Sequence, residues 1–133
     1  MIIQKLDLSS LKHIFSGNQW ELLAAGMVVR VLFCRDSGKI ALQSQIYHND
    51  HGIPYSIQRC LESCNDRFIG RMRTRFITDE VVGTVDLHYL GIAPNTAADV
   101  ETLLGDFAEL AREWSDLLED NDPREYVYVR RMK

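Results

Sequence analysis

The sequence predicts an α+β fold, a single domain with the element order α-β-β-β-α-β-β-α in which an antiparallel sheet packs against helices. Three observations carry this. A length of 133 residues supplies one hydrophobic core rather than two. Two runs after Gly26 alternate with period two and close onto each other through the turn residues "RDSGK". Toward the C-terminal end, an apolar stripe repeats with helical spacing over about six turns.

The first element is a short helix in "DLSSLKHIF". Asp7 is its N-cap, Leu8, Leu11, Ile14 and Phe15 form one apolar side, and Ser16 and Gly17 end it. "WELLA" reads as a strand that turns at Ala25 and Gly26, although "WELLAAGM" also suits a helix. Met27, Val29, Val31 and Phe33 alternate along the next strand, and Ile40, Leu42, Ser44 and Ile46 along the one after. Setting Phe33 against Ile40 brings Val31 opposite Leu42, Val29 opposite Ser44 and Met27 opposite Ile46, so one register satisfies every pair. The other face mixes Val28, Leu32, Cys34, Ala41 and Tyr47 with Arg30, Gln43 and Gln45, which leaves apolar spots for something to cover.

A helix follows from about Pro54 to Cys64, with proline in the first turn and Ile57, Cys60, Leu61 and Cys64 on one side. Next comes a hairpin in which Arg71, Arg73 and Arg75 take every second position. With Thr78 against Val81, Arg75 meets Thr84, Arg73 meets Asp86 and Arg71 meets His88, while Phe76, Thr74 and Met72 face the other way. The arginines then lie on the polar face, where a pair such as Arg73 and Asp86 adds only about 0.2 to 1 kcal/mol. The plain reading of that face is solvation; the sharper one is a basic strip for an acidic segment of a partner.

The last helix starts at Thr96 as N-cap, with Asp99 three positions on. Val100, Leu103, Leu104, Phe107, Leu110, Ala111, Trp114, Leu117 and Leu118 hold its apolar stripe, and its other side is acidic apart from Arg112. Trp114 and Leu118 serve either packing against the chain's own sheet or dimerisation. A tail over residues 121–133 alternates Tyr126 and Tyr128 with Val127 and Val129, as an edge strand or a segment added to another chain.

Apolar residues at 46%, charged residues at 26% and a net charge of −4 describe a globular protein that repels nucleic acid and anionic lipid. The longest apolar run, "LLAAGMVV", is too short for a membrane span, and the first residues do not read as a signal peptide, so a cytoplasmic protein is expected. Three cysteines fit free thiols in a reducing compartment.

His48, His51, Cys60 and Cys64 supply the ligand types of a zinc site, but the two cysteines share an apolar stripe with Ile57 and Leu61, where free Cys behaves as a small hydrophobe. The spacing matches no standard zinc pattern, so no metal ligand is assigned. A thiol enzyme would need a cysteine beside a histidine in an electropositive setting, which nothing in the sequence provides. Asp79 with Glu80, and Asp120 with Asp122, read as turn and capping chemistry. With no phosphate loop, nucleophile elbow or H-E-x-x-H pair, no catalytic residue and no cofactor is expected.

The run "NDRFIGRMRTRFITDEVVGTVDLHYLGI", the acidic helix "ADVETLLGDFAELAREWSDLL" and the element order resemble the superfamily of YbjN-like proteins and CesT-like type III secretion chaperones. The resemblance implies a small acidic bacterial homodimer, not an enzyme, that holds an extended segment of a cargo or effector-like protein. The basic tail departs from the chaperone pattern and keeps open a YbjN-like protein of regulatory or unknown role; a small zinc or thiol enzyme ranks below both. The expected partner contacts are Trp20, Val28, Leu32 and Tyr47, with Arg71, Arg73 and Arg75 for the basic strip.

Overall fold

The computed structural model describes residues 3–5, 19–34, 36–63 and 72–123. Its sheet has six strands: β1 (Ile3–Lys5), β2 (Gln19–Ala24), β3 (Met27–Cys34), β4 (Lys39–His48), β5 (Thr74–Asp79) and β6 (Thr84–Ile92). They lie in the order β1-β2-β3-β4-β6-β5. Five are antiparallel as expected; β1, which the sequence did not announce, adds parallel to β2 at the edge. The helix expected at Asp7–Phe15 lies outside the described residues, as do Cys64, Arg71 and residues 124–133 of the tail.

"WELLA" is a strand. Ala25 and Gly26, with φ of 51° and 74°, form the two-residue turn whose twist matches an antiparallel pair. The β3–β4 register is the expected one where the strands pair: Phe33 faces Ile40, Val31 faces Leu42, and Arg30 and Cys34 close the ladder against Gln43 and Lys39. Beyond it, buried Ser44 returns to β3 through its Oγ, which donates to the Val28 carbonyl at 2.9 Å.

Alternation fails at one point in β4. Gln45 pairs with Asp86 but Tyr47 pairs with Val85, so Ile46 is an extra residue in a β-bulge. The bulge turns Ile46 and Tyr47 both inward, at 3% and 7% exposure. Tyr47, expected on the second face, is therefore a core residue.

The β5–β6 hairpin corrects the expected register. Arg75 faces His88, Ile77 faces Asp86 and Thr78 faces Val85, because the turn is longer than assumed. Asp79 builds it: Oδ1 accepts from the amides of Val81 and Val82, and its carbonyl accepts from Gly83 at 2.7 Å. Arg73 consequently does not meet Asp86, whose carboxylate accepts from Gln43 Nε2 at 2.8 Å. The shift is by an even number of residues, so the arginines keep their face.

Helix α1 (Tyr55–Ser63) follows Pro54, whose carbonyl accepts from Ile57 and Gln58, and buries Ile57, Cys60 and Leu61. Helix α2 (Ala97–Asp120) begins where Thr96 Oγ1 accepts from the Asp99 amide at 3.2 Å. Its stripe from Val100 to Leu118 closes over the inward residues of β2, β3, β4 and β6 in one core. Trp114 and Leu118 are fully enclosed there, with Phe76 meeting the Trp114 ring edge-to-face at 4.8 Å. They are packing residues of the chain itself.

A buried polar knot ties the helix ends to the sheet. Tyr47 Oη donates to Asp122 Oδ2 at 3.2 Å, and Asn49 Nδ2 reaches Tyr47 Oη at 3.5 Å. On the surface beside it, Ser56 Oγ donates to the Asn121 carbonyl at 3.1 Å and joins α1 to the end of α2. Asp122 is thus an anchor for the end of α2 rather than a cap.

Candidate functional site

Period-two alternation sends half of each strand to the face opposite α2, here the outer face. Register then lines those residues into rows across the sheet. One row runs Glu21, Arg30, Gln43, His88, Arg75, each directly opposite the next. Beside it runs Gln19, Leu32, Ala41, Leu90, and beyond that Cys34, Lys39, Ile92. On the other flank lie Val28 and the row Gln45, Asp86, Ile77.

The second row is an apolar strip open to solvent, with Leu32 at 43%, Leu90 at 59% and neighbouring Ile92 at 82% exposure. Val28 and Ile77, at 42% and 40%, extend it across the polar row. Of the expected contacts, Val28 and Leu32 stand on this face; Tyr47 does not, and Trp20 sits opposite Val31 and packs partly buried against the core. Arg75 is exposed on the outer face and Arg73 precedes β5 beside it. Leu90, Ile92 and Ile77 were missed, though the signal was present: continuing the alternation from the inward Val85 and Leu87 sends Leu90 and Ile92 outward.

The polar row is partly self-satisfied. Arg30 Nη2 pairs with Glu21 Oε1 at 3.2 Å, and Glu21 is buried, so this pair answers its own charge. Between the arginines and the strip lies a groove of about 320 Å³, lined by Ala41, Arg73, Arg75, His88 and Leu90. His88 Nε2 is shielded from solvent and has no hydrogen-bond partner among the described residues. Burial pushes the His88 imidazole below its ordinary pKa; Asp86 pulls it up and Arg75 pushes it down again. The ring therefore favours its uncharged form more than a free imidazole does.

The zinc residues weighed in the sequence are not brought together among the described residues. His48 Nε2 pairs with Asp50 Oδ1 at 3.0 Å on the surface, whereas Cys60 is in the core. No group of three or more His, Cys, Asp or Glu among the described residues is placed to hold a metal ion. No described helix is long and apolar enough to cross a membrane.

No protein-family model and no curated protein matches the sequence. Solved structures do. A chain from the crystal structure of the ExsC–ExsE complex aligns with a TM-score of 0.59 and 25% identity, covering 77% of this chain and 77% of that one. A chain of the heterodimeric ExoU–SpcU complex, from the type III secretion system of Pseudomonas aeruginosa, aligns with a TM-score of 0.54 and 19% identity over 81% of this chain and 87% of that one. Both neighbours are chains of two-component protein complexes, and the fold is the expected secretion-chaperone-like α+β domain.

Proposed function

We propose that this chain is a non-enzymatic protein-binding module that holds an extended segment of a partner polypeptide on its outer face, in the manner of a secretion chaperone, and that it acts as a homodimer in the bacterial cytoplasm. The observation that carries the reading is the strip of Leu32, Ala41, Leu90 and Ile92, which crosses β3, β4 and β6 open to solvent. Fully covering one such large apolar side chain contributes about 1.5 to 3 kcal/mol. A segment that covers several of them repays the ordering of its own backbone. The two structural neighbours support it, each being a chain of a complex with a second protein.

The test is co-expression with candidate partners drawn from the proteins encoded beside this chain's gene. Leu90→Asp, at an exposed position, should abolish co-purification while the circular dichroism spectrum stays unchanged; undiminished co-purification would refute the assignment. Light scattering on the purified chain tests the dimer. A YbjN-like regulatory role uses the same face with a different partner, and mass spectrometry of the co-purified protein separates the two.

A further inference from the structure

Among the described residues, one arginine of the outer face has a carboxylate partner and two have none. Arg30 has Glu21 at 3.2 Å. Arg73 and Arg75 have no carboxylate within ion-pair distance among the described residues, and Asp86, the acid in the next row, is held by Gln43 Nε2. Between the two guanidinium groups and the apolar strip lies the groove lined by Ala41 and Leu90, with His88 Nε2 at its side shielded and without a hydrogen-bond partner among the described residues. A shielded polar nitrogen without a partner is uncommon and costs stability, so it marks a place where an incoming group restores a bond. The surroundings state the sign of that group. The chain carries a net charge of −4, yet this groove gathers two arginines whose charge no described carboxylate answers.

We infer that the groove between Arg73, Arg75 and His88 takes a carboxylate side chain of the partner's extended segment, while the apolar residues two positions to either side of that carboxylate lie on Leu90 and Ala41. The inference rests on the reading of the outer face given above and adds the chemistry of the occupant. An extended segment with an apolar residue two positions from an acidic one meets both halves of the groove at once, because side chains two apart share a face. Arginine forks suit a carboxylate, and an imidazole beside it gains a proton more readily, so the bound acid satisfies all three groups.

The experiment uses two fluorescein-labelled peptides of about eight residues, with Ser at every second position and, on the other face, Val two positions to either side of a Glu in one and of a Gln in the other, titrated with the full chain by fluorescence anisotropy in low and high salt. The Glu peptide should bind about tenfold more tightly than the Gln peptide at low salt, as charge-assisted contacts exceed neutral ones. The Arg73→Gln/Arg75→Gln double variant, altered only outside the core, should erase that preference. The imidazole resonance of His88 should titrate at higher pH when the Glu peptide is bound and not when the Gln peptide is. Equal affinities, a preference that the double variant retains, or no binding of either peptide overturns the inference. Equal affinities that Leu90→Asp abolishes remove the carboxylate site and leave the apolar strip standing. A Glu preference that survives Leu90→Asp keeps the carboxylate site and removes the strip.

Discussion

Arg75 on β5 stands directly opposite His88 on β6, on the face of the sheet turned away from α2. Register alone places a guanidinium beside an imidazole whose Nε2 is already shielded from water. Desolvation and that positive neighbour both disfavour protonation, and Asp86 opposes them only in part.

This arrangement sets a pH dependence. The folded-state pKa of His88 lies below its ordinary 6.5, so below pH 6.5 the unfolded chain binds a proton that the folded chain resists. Stability therefore falls as pH drops through the window beneath 6.5, until the folded-state pKa is passed. Urea unfolding of the wild type between pH 7.5 and 5 should show this loss, and His88→Gln should show a shallower one. Parallel curves for the two proteins would disprove the assignment.

Tyr47→Phe removes the donor that buried Asp122 receives from Tyr47 Oη at 3.2 Å. Losing a hydrogen bond to a buried carboxylate costs about 1 to 3 kcal/mol. Because the bond joins β4 to the end of α2, faster amide exchange should appear in the last turn of α2. A loss of stability without that local signature would place the cost elsewhere.

Gly83 has φ of +81°, and its amide donates to Asp79 while its carbonyl accepts from Asn49. A Cβ there would collide with the Asn49 backbone carbonyl. Gly83→Ala combines left-handed strain with a backbone clash, a cost on the order of 3 kcal/mol. Thermal unfolding checks it, and a change below about 1 kcal/mol would contradict the tight contact between the turn and Asn49.

Ala25 holds a left-handed φ of 51° ahead of Gly26. Asparagine tolerates that conformation and is favoured in this turn, so Ala25→Asn should stabilise the chain by about 0.5 to 1 kcal/mol. A lower unfolding midpoint would mean that the turn is set by contacts rather than by backbone preference.

Much of this architecture was legible because local signals agreed with one another. Alternation and a turn of the right length placed Val31 against Leu42, and the stripe from Val100 to Leu118 announced α2 with its Thr96 cap. The arginine face survived a wrong register for a geometric reason: moving Arg75 from Thr84 to His88 shifts the pairing by four, and an even shift preserves faces. The longer turn depended on Asp79 accepting from two amides, which residue type alone does not disclose. Tyr47 was misplaced because one extra residue at Ile46 breaks the period, and nothing in "QSQIYH" signals a bulge. The Tyr47–Asp122 bond spans 75 positions, a separation at which periodicity carries no information.

The central claim is that a partner polypeptide lies on the outer face along Leu32 and Leu90. Methyl NMR on the full chain, with and without the bound partner segment, tests it most directly. Shifts are expected at the methyl groups of Val28, Leu32, Ile77, Leu90 and Ile92, with those of enclosed Leu104 and Leu118 unmoved. Shifts confined to the acidic surface of α2, with Leu32 and Leu90 unchanged, would contradict it.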